Sequence, residues 1–210
     1  MEIEQIKVGF MGVFCYLVWC EKTKEALVID PAGDEETIVD RIKERGLDLK
    51  YIVNTHGHGD HTHGNRKMKS LTEAKIVMHE LDDQMFNSPQ GQERSRQWGF
   101  TPSDPADIFV KDGDEIVIGN VSLQVIHTPG HTPGGVCLLA EGNVFTGDTL
   151  FVGGIGRTDL PGASTAEFME SIKEKLLTLP GETIVWPGHD YGARPSSTID
   201  MEKQTNPWLS

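Results

Sequence analysis

The stretch Thr55-His56-Gly57-His58-Gly59-Asp60-His61 sets three imidazoles and a carboxylate within six residues, directly after the apolar run Tyr51 to Asn54. A chain that starts such a loop at the end of a buried strand must give those side chains a common partner, because imidazole and carboxylate groups taken out of water need one. A divalent metal is that partner. The donors suit zinc, and iron or manganese as well. Gly57 and Gly59 would let the backbone curl so that alternate side chains turn inward. The competing reading, a solvated histidine-rich loop, is weakened by two isolated histidines in matching surroundings. These are His131 in Thr128-Pro-Gly-His-Thr-Pro-Gly134 and His189 in Trp186-Pro-Gly-His-Asp190, each after an apolar strand and a Pro-Gly turn. Asp148 ends another strand, in Val144-Phe-Thr-Gly-Asp-Thr149, where a carboxylate could bridge two metals. The fold is therefore expected to gather seven scattered side chains into one cleft.

Strands are predicted over Ile3 to Phe10, Val13 to Trp19 and Ala26 to Ile29. Asp34 is placed to cap a helix carrying Ile38, Val39 and Ile42 on one face and stopped by Gly46. The short strand Tyr51 to Asn54, a helix from about Asn65 and the strand Lys75 to Met78 follow. From Ser88 to Asp107 the pattern breaks into Gln, Arg, Ser, Gly and Pro around Arg94, Arg96, Trp98 and Phe100, which reads as a long loop and a substrate flap. Strands then recur at Glu115 to Ile118, Val121 to Ile126, Gly135 to Leu139 and Val144 to Phe145. Ser164-Thr-Ala-Glu167 is a capping box for a helix with Phe168, Ile172 and Leu176 in register, ended by Pro180-Gly181 before the strand Thr183 to Trp186. Two similar halves are implied, sheets inside and helices outside, in one domain spanning 1–210.

Composition narrows the partners. The formal charge is −13, and the densest basic stretch is only Arg66, Lys67 and Lys69, so a nucleic-acid partner is not expected. No apolar run approaches the roughly 18 residues of a membrane helix, and Met1-Glu-Ile-Glu-Gln5 lacks the basic start of a secretory signal. Cys15, Cys20 and Cys137 form no CxxC pair and are expected as buried thiols in a cytoplasmic protein. His63, His79 and His127 are expected as loop, surface or strand positions rather than ligands.

The segment His56 to His61 matches His-x-His-x-Asp-His, and the chain from Ile29-Asp30-Pro31 to His189 resembles the metallo-β-lactamase-fold superfamily. The resemblance implies an α/β protein, an αββα sandwich with a metal site at one edge of its two sheets. It implies that His56, His58 and His131 hold one metal and that Asp60, His61 and His189 hold the other. Asp148 and a hydroxide would lie between them, with Asp60 and Asp148 orienting or receiving the proton.

Within the superfamily, Gly147-Asp-Thr-Leu-Phe-Val-Gly-Gly154-Ile-Gly-Arg157-Thr-Asp159 is similar to the glyoxalase II group of thioesterases, which cleave S-acylglutathione, and to the related persulfide dioxygenases. Arg157 and the backbone amides of this Gly-rich loop could hold a substrate carboxylate, unless Arg157 serves a structural salt bridge. Asp148 stands where the best-known β-lactamases have a cysteine or no bridging acid, so that activity is less expected, and no RNA-gripping arm of a tRNA-processing nuclease is visible. The chain ends 21 residues after His189, without the C-terminal helical domain of larger glyoxalase II enzymes, and so is nearer to the short bacterial hydrolases. The expectation is a two-metal thioesterase. The alternative is a mononuclear iron persulfide dioxygenase in which His56, His131 and Asp148 form the triad, favoured by His189-Asp-Tyr-Gly192 and the Ser-Ser-Thr after it. A metal-binding protein without catalysis is a third reading, disfavoured because no ligand position is missing.

Overall fold

Two six-stranded sheets face each other in the computed structural model, which describes residues 1–209. The first sheet is ordered β1 (Glu2–Val8), β2 (Val13–Trp19), β3 (Glu25–Ile29), β4 (Asp48–Val53), β5 (Lys75–His79), β6 (Ile108–Val110). Its first three strands are antiparallel and the rest parallel. The second sheet takes β7 (Glu115–Ile118), β8 (Val121–His127), β9 (Val136–Ala140) and β10 (Asn143–Gly147) as an antiparallel meander. A two-stranded ribbon follows, β11 (Leu150–Phe151) and β12 (Gly154–Ile155). The chain returns to the second sheet through β13 (Ile184–Pro187), parallel to β10, and β14 (Ser197–Thr198).

Alternation along the strands decides the layering, since successive side chains point to opposite faces. On β2, Phe14, Tyr16 and Val18 enter the layer between the sheets, where they meet Leu123, Val125, Leu138 and Phe145 of the second sheet. Cys15 and Leu17 point the other way, into a layer closed by Ile38 and Ile42 of α1 (Glu35–Glu44) and Met68 of α3 (Asn65–Thr72). The second sheet is backed likewise by Leu176 and by Ile199 of α7 (Ile199–Thr205) against Cys137, Val144 and Val185. The result is the expected αββα sandwich. Strands buried on both faces also explain why β2 reads as a continuous apolar run.

Several expectations need correction. Ser88 to Asp107 is a loop only in its second half, from Trp98 on. After α4 (Glu80–Phe86), Ser88 caps α5 (Pro89–Gln97), its hydroxyl accepting the Gly91 amide at 3.0 Å. Only Gly91 and Ser95 of α5 are buried, so no apolar stripe advertises the helix, and the signal was Ser88 followed by Pro89 at the first helical position. Asp34 precedes α1 without capping it. It sits at φ 52° and its carboxylate accepts the Gly9 amide instead, at 2.9 Å. Strand β1 stops at Val8, two residues early, and the helix opened by Ser164, α6 (Thr165–Glu170), widens into a π-helical segment, Ser171–Leu176.

All three cysteines are buried free thiols. Among the described residues no helix is long and apolar enough to cross a membrane.

Candidate metal centre

The loops that leave the C-terminal ends of β4, β8, β10 and β13 meet at one edge of the sandwich, and each delivers part of the cluster. His56 and His58 follow β4, and Asp60 and His61 lie in the short helix α2 (Gly59–Thr62). His131 comes after β8, Asp148 immediately after β10, and His189 two residues after β13. Backbone hydrogen bonds lock these loops to one another. Val136 N–H donates to Thr55 O at 2.8 Å, Gly188 N–H to Gly147 O at 2.7 Å, and Phe14 N–H to Gly188 O at 2.8 Å. Gly57 and Gly59 have ordinary negative φ, so their role differs from the expected backbone curl. A Cβ on Gly57 would lie 2.1 Å from the Phe86 ring and one on Gly59 2.7 Å from that of Phe100. The glycines admit the two aromatic rings that wall the loop.

All seven predicted side chains converge. His56, His58 and His131 offer ring nitrogens within 4.8 Å of one another, and an Asp60 carboxylate oxygen lies as close to ring nitrogens of His61 and His189. Asp148 stands between the two sets, its carboxylate 3.3 Å from His61 Nε2, 3.6 Å from His131 Nε2 and 3.5 Å from His189 Nε2. The donor set fits divalent cations on a direct observation. His58 Nδ1 and His131 Nε2 point at each other across 2.9 Å, as do the Nε2 atoms of His61 and His189 across 3.2 Å, and His56 Nε2 and Asp148 Oδ1 are buried with no hydrogen-bond partner. Paired lone pairs and orphaned acceptors aimed at common points are what a cation would satisfy.

The electrostatics divide the two sets. Burial drives His56 well below the usual imidazole range and His58 down to about 3, so both are neutral donors. At His61 burial acts in the same direction but is outweighed by the carboxylates of Asp148, Asp60 and Asp30, which hold the ring well above that range. His189 is held at about 9, Asp148 and Asp60 again outweighing burial. Burial alone would raise Asp148, yet His61 and His189 keep it well below the ordinary carboxylate range.

Two supporting carboxylates had no assigned role in the sequence reading. Asp30, at φ 50° in the Ile29-Asp30-Pro31 turn, accepts Thr55 N–H at 2.8 Å and the Thr55 hydroxyl at 2.6 Å, and contacts His61 Nδ1 at 2.9 Å. It orients His61 from behind. A buried strand ending in an aspartate was its sequence signal. Asp82 of α4 is fully buried and joins both arms of the first set: it accepts Gly57 N–H at 2.7 Å, Thr132 Oγ1–H at 2.7 Å and Gly134 N–H at 2.6 Å. In Leu81-Asp82-Asp83-Gln84 nothing distinguishes it from a solvated helix face.

Arg157 lies beside the centre with its guanidinium exposed and paired to Asp159 at 2.6 and 2.7 Å, while its carbonyl oxygen lies 2.7 Å from His131 Nδ1. The Gly153 amide is already committed to Glu202, at 2.9 Å. Of the remaining histidines, His63 accepts Thr101 N–H at 2.7 Å, and His79 and His127, the last residues of β5 and β8, stack at 4.3 Å. None of the three joins the cluster.

Comparison with known proteins agrees with this geometry. Residues 8–189 match the sequence profile of the metallo-beta-lactamase superfamily. The chain belongs to that superfamily. The hydroxyacylglutathione hydrolase GloC of Haemophilus influenzae is 35% identical over 216 residues, covering 100% of this chain and 99% of its own length. The human mitochondrial persulfide dioxygenase ETHE1 is 34% identical over 201 residues, covering 94% of this chain and 71% of its own length. The crystal structure of the B3 metallo-beta-lactamase BLEG-1 superposes with a TM-score of 0.90 at 33% identity, each chain fully covered. Hydrolase and dioxygenase relatives thus lie at nearly equal distance from this superfamily member.

Proposed function

We propose that this chain, as a single domain, is a metal-dependent hydrolase, a thioesterase acting on S-acylglutathione-like substrates. The observation that carries the reading is the closure of two complete donor sets on one shared carboxylate. His56, His58 and His131 would hold one divalent ion and Asp60, His61 and His189 the other, with Asp148 between them. Zinc suits the donors, and iron and manganese fit them too. When bound, such ions supply a water that ionises near neutrality and polarise the carbonyl it attacks.

The protein's own groups do the rest. Asp148 and Asp60, which line the open side of the cluster, would orient the attacking water and receive or relay its proton. Arg157, on the rim beside Asp148, is the group for a substrate carboxylate, with Asp159 holding its guanidinium extended. Tyr191 lies flat on His189, rings 4.6 Å apart, and shields it from water. Three buried thiols accord with a reducing, cytoplasmic setting.

The second reading is the iron persulfide dioxygenase, with His56, His131 and Asp148 as the triad. Its support is the 34% identity to human ETHE1. One experiment separates the two: metal content measured together with turnover of S-lactoylglutathione and of glutathione persulfide. Near two metals per chain with thioester cleavage supports the hydrolase. One iron per chain with oxygen uptake on the persulfide refutes it.

A further inference from the structure

Two cavities meet at Asp148, and Arg157 and Tyr191 border both; the smaller also carries Phe151, Val152 and Ile155. One, of ≈ 380 Å³, runs along the Gly153-Gly154 ribbon past Arg157 and Tyr191. The other, of ≈ 440 Å³, opens over His58, Asp60 and His131, and apart from the cluster and Arg157 its walls are apolar: Phe10, Met11, Trp98, Phe100, Leu160 and the ring of Tyr191. Phe10 is 69% exposed, Met11 46% and Trp98 47%. Large apolar side chains left in water side by side at the mouth of a site mark a surface built for an apolar occupant.

This wall is held in place. Phe10 and Met11 form the tip of the β1–β2 hairpin, and Gly9, at φ +65°, sits so close to Ala32 that a Cβ would lie 2.4 Å from the Ala32 carbonyl oxygen. The Asp34 carboxylate, which does not cap α1, fixes that tip through Gly9 N–H. Phe10 stacks on Phe100, ring centroids 5.2 Å apart at 14°. Behind Phe100, His63 accepts Thr101 N–H and turns its ring edge to the phenyl group at 6.1 Å. Asp34 and His63, neither of which joins the metal cluster, both anchor this wall.

We infer that the Phe10–Met11–Trp98–Phe100 wall is an acyl subsite, selecting substrates with an aliphatic acyl group over small hydroxylated ones. This rests on the thioesterase reading, and it divides the substrate at the scissile bond. The acyl half lies on the apolar wall, and the thiol half, with its carboxylate, lies toward Arg157. Along the Phe10, Trp98 and Phe100 rings each methylene gains apolar contact, whereas a hydroxyl carried there finds no hydrogen-bond partner in the wall.

The test uses the metal-loaded protein and the straight-chain acids acetate, butanoate and hexanoate, whose carboxylate seats at the metals and whose tail reads the wall independently of glutathione and of turnover. Binding is followed by displacement of a chromogenic metal ligand. Each methylene buried is worth up to about fourfold in affinity, so hexanoate is expected to bind at least about tenfold more tightly than acetate. The double variant Phe10→Ala/Trp98→Ala, read in the same way, should flatten the series. Both side chains are largely exposed, so the fold survives their loss. The same slope is expected in kcat/KM for S-acetyl-, S-butanoyl- and S-hexanoylglutathione. A flat acid series, or a steep one that the double variant preserves, overturns the subsite whether or not thioesters are cleaved. A steep, wall-dependent acid series with no cleavage of any thioester leaves the apolar subsite standing and refutes the thioesterase reading instead.

Discussion

Replacing Asp82 by asparagine keeps the shape of the side chain and exchanges one acceptor oxygen for an N–H donor. The native carboxylate takes three hydrogen bonds in a site with no exposure, two on one oxygen from Gly57 and Thr132 and one on the other from Gly134. With the amide facing Gly134, two donors oppose each other. With it flipped, Thr132 can reverse its hydroxyl, but Gly57 N–H loses its acceptor. Either way one buried N–H is orphaned, at a cost of about 1–3 kcal/mol, offset by removal of a buried charge. Near pH 7 the removed charge is itself worth up to ~3 kcal/mol, so the net change should stay within about 1 kcal/mol and move Tm by no more than about 2–4 °C for a chain of this size. The selective effect is on metal. Gly57 precedes His58 and Thr132 follows His131, so the His56/His58/His131 set loses the strut between its arms, and its affinity should fall by about 10–100-fold. The Asp60/His61/His189 set is braced by Asp30 and should keep its affinity. Competitive titration of the apo-protein with a chromogenic chelator resolves the two steps. Both affinities unchanged, whatever the shift in Tm, would refute Asp82 as a positioning residue and leave it a strut of the fold alone.

Burial pushes the Asp82 carboxyl up to about 6, so native stability carried by the protonated form should decline by up to ~3 kcal/mol between pH 4 and 7, a slope Asp82→Asn should lack in urea titrations across that range. In apo-protein the His189 ring sits at about 9, above its unfolded value, so its contribution is complete below about pH 6.5 and is lost as pH rises through 9. Calorimetry should show the apo Tm falling over that window while metal binding, which favours the neutral ring, strengthens; a flat apo curve counts against the carboxylate pairing. Asp148→Ala should leave at most one metal per chain and cut turnover by about 10²-fold or more; two metals and full turnover would exclude the bridging role. A Cβ at Gly188 would lie 2.4 Å from Asp148 Oδ1, so Gly188→Ala should weaken metal retention as well, checked by metal analysis after dialysis. Arg157→Ala should raise KM by about 5–10-fold with kcat kept, since the exposed guanidinium loses only a screened contact and the carbonyl that meets His131 remains.

Much of this centre was legible in one dimension because metal donors are few in kind and cluster at strand ends. Four of the seven positions sit within six residues, and the other three follow apolar runs closed by glycine or Pro-Gly turns. Most strands of the two sheets were readable for a similar reason, since a segment buried on both faces has little chemical choice, whereas the short edge strands β6 and β14 were not. Helix α5 was not, because its support comes from polar pairs such as Arg96 to Gln92 and from the Ser88 cap rather than from an apolar stripe. Its C-terminal turn carries Trp98 and leads into the irregular stretch with Phe100, and both side chains line the cleft over the cluster.

The sequence by itself marked the histidine–aspartate cluster, its position at strand ends and a layering of sheets inside and helices outside, since those follow from side-chain chemistry and local periodicity. Only the tertiary structure decided that Asp82 joins two of the loops that carry the cluster, that Asp34 braces a hairpin rather than a helix, and that Phe10 meets Phe100 beside the cluster. The physical reason is common to all three. A carboxylate or a phenyl ring carries no mark of its partner, and its role is assigned when folding brings residues tens of positions apart within a hydrogen bond or a ring contact.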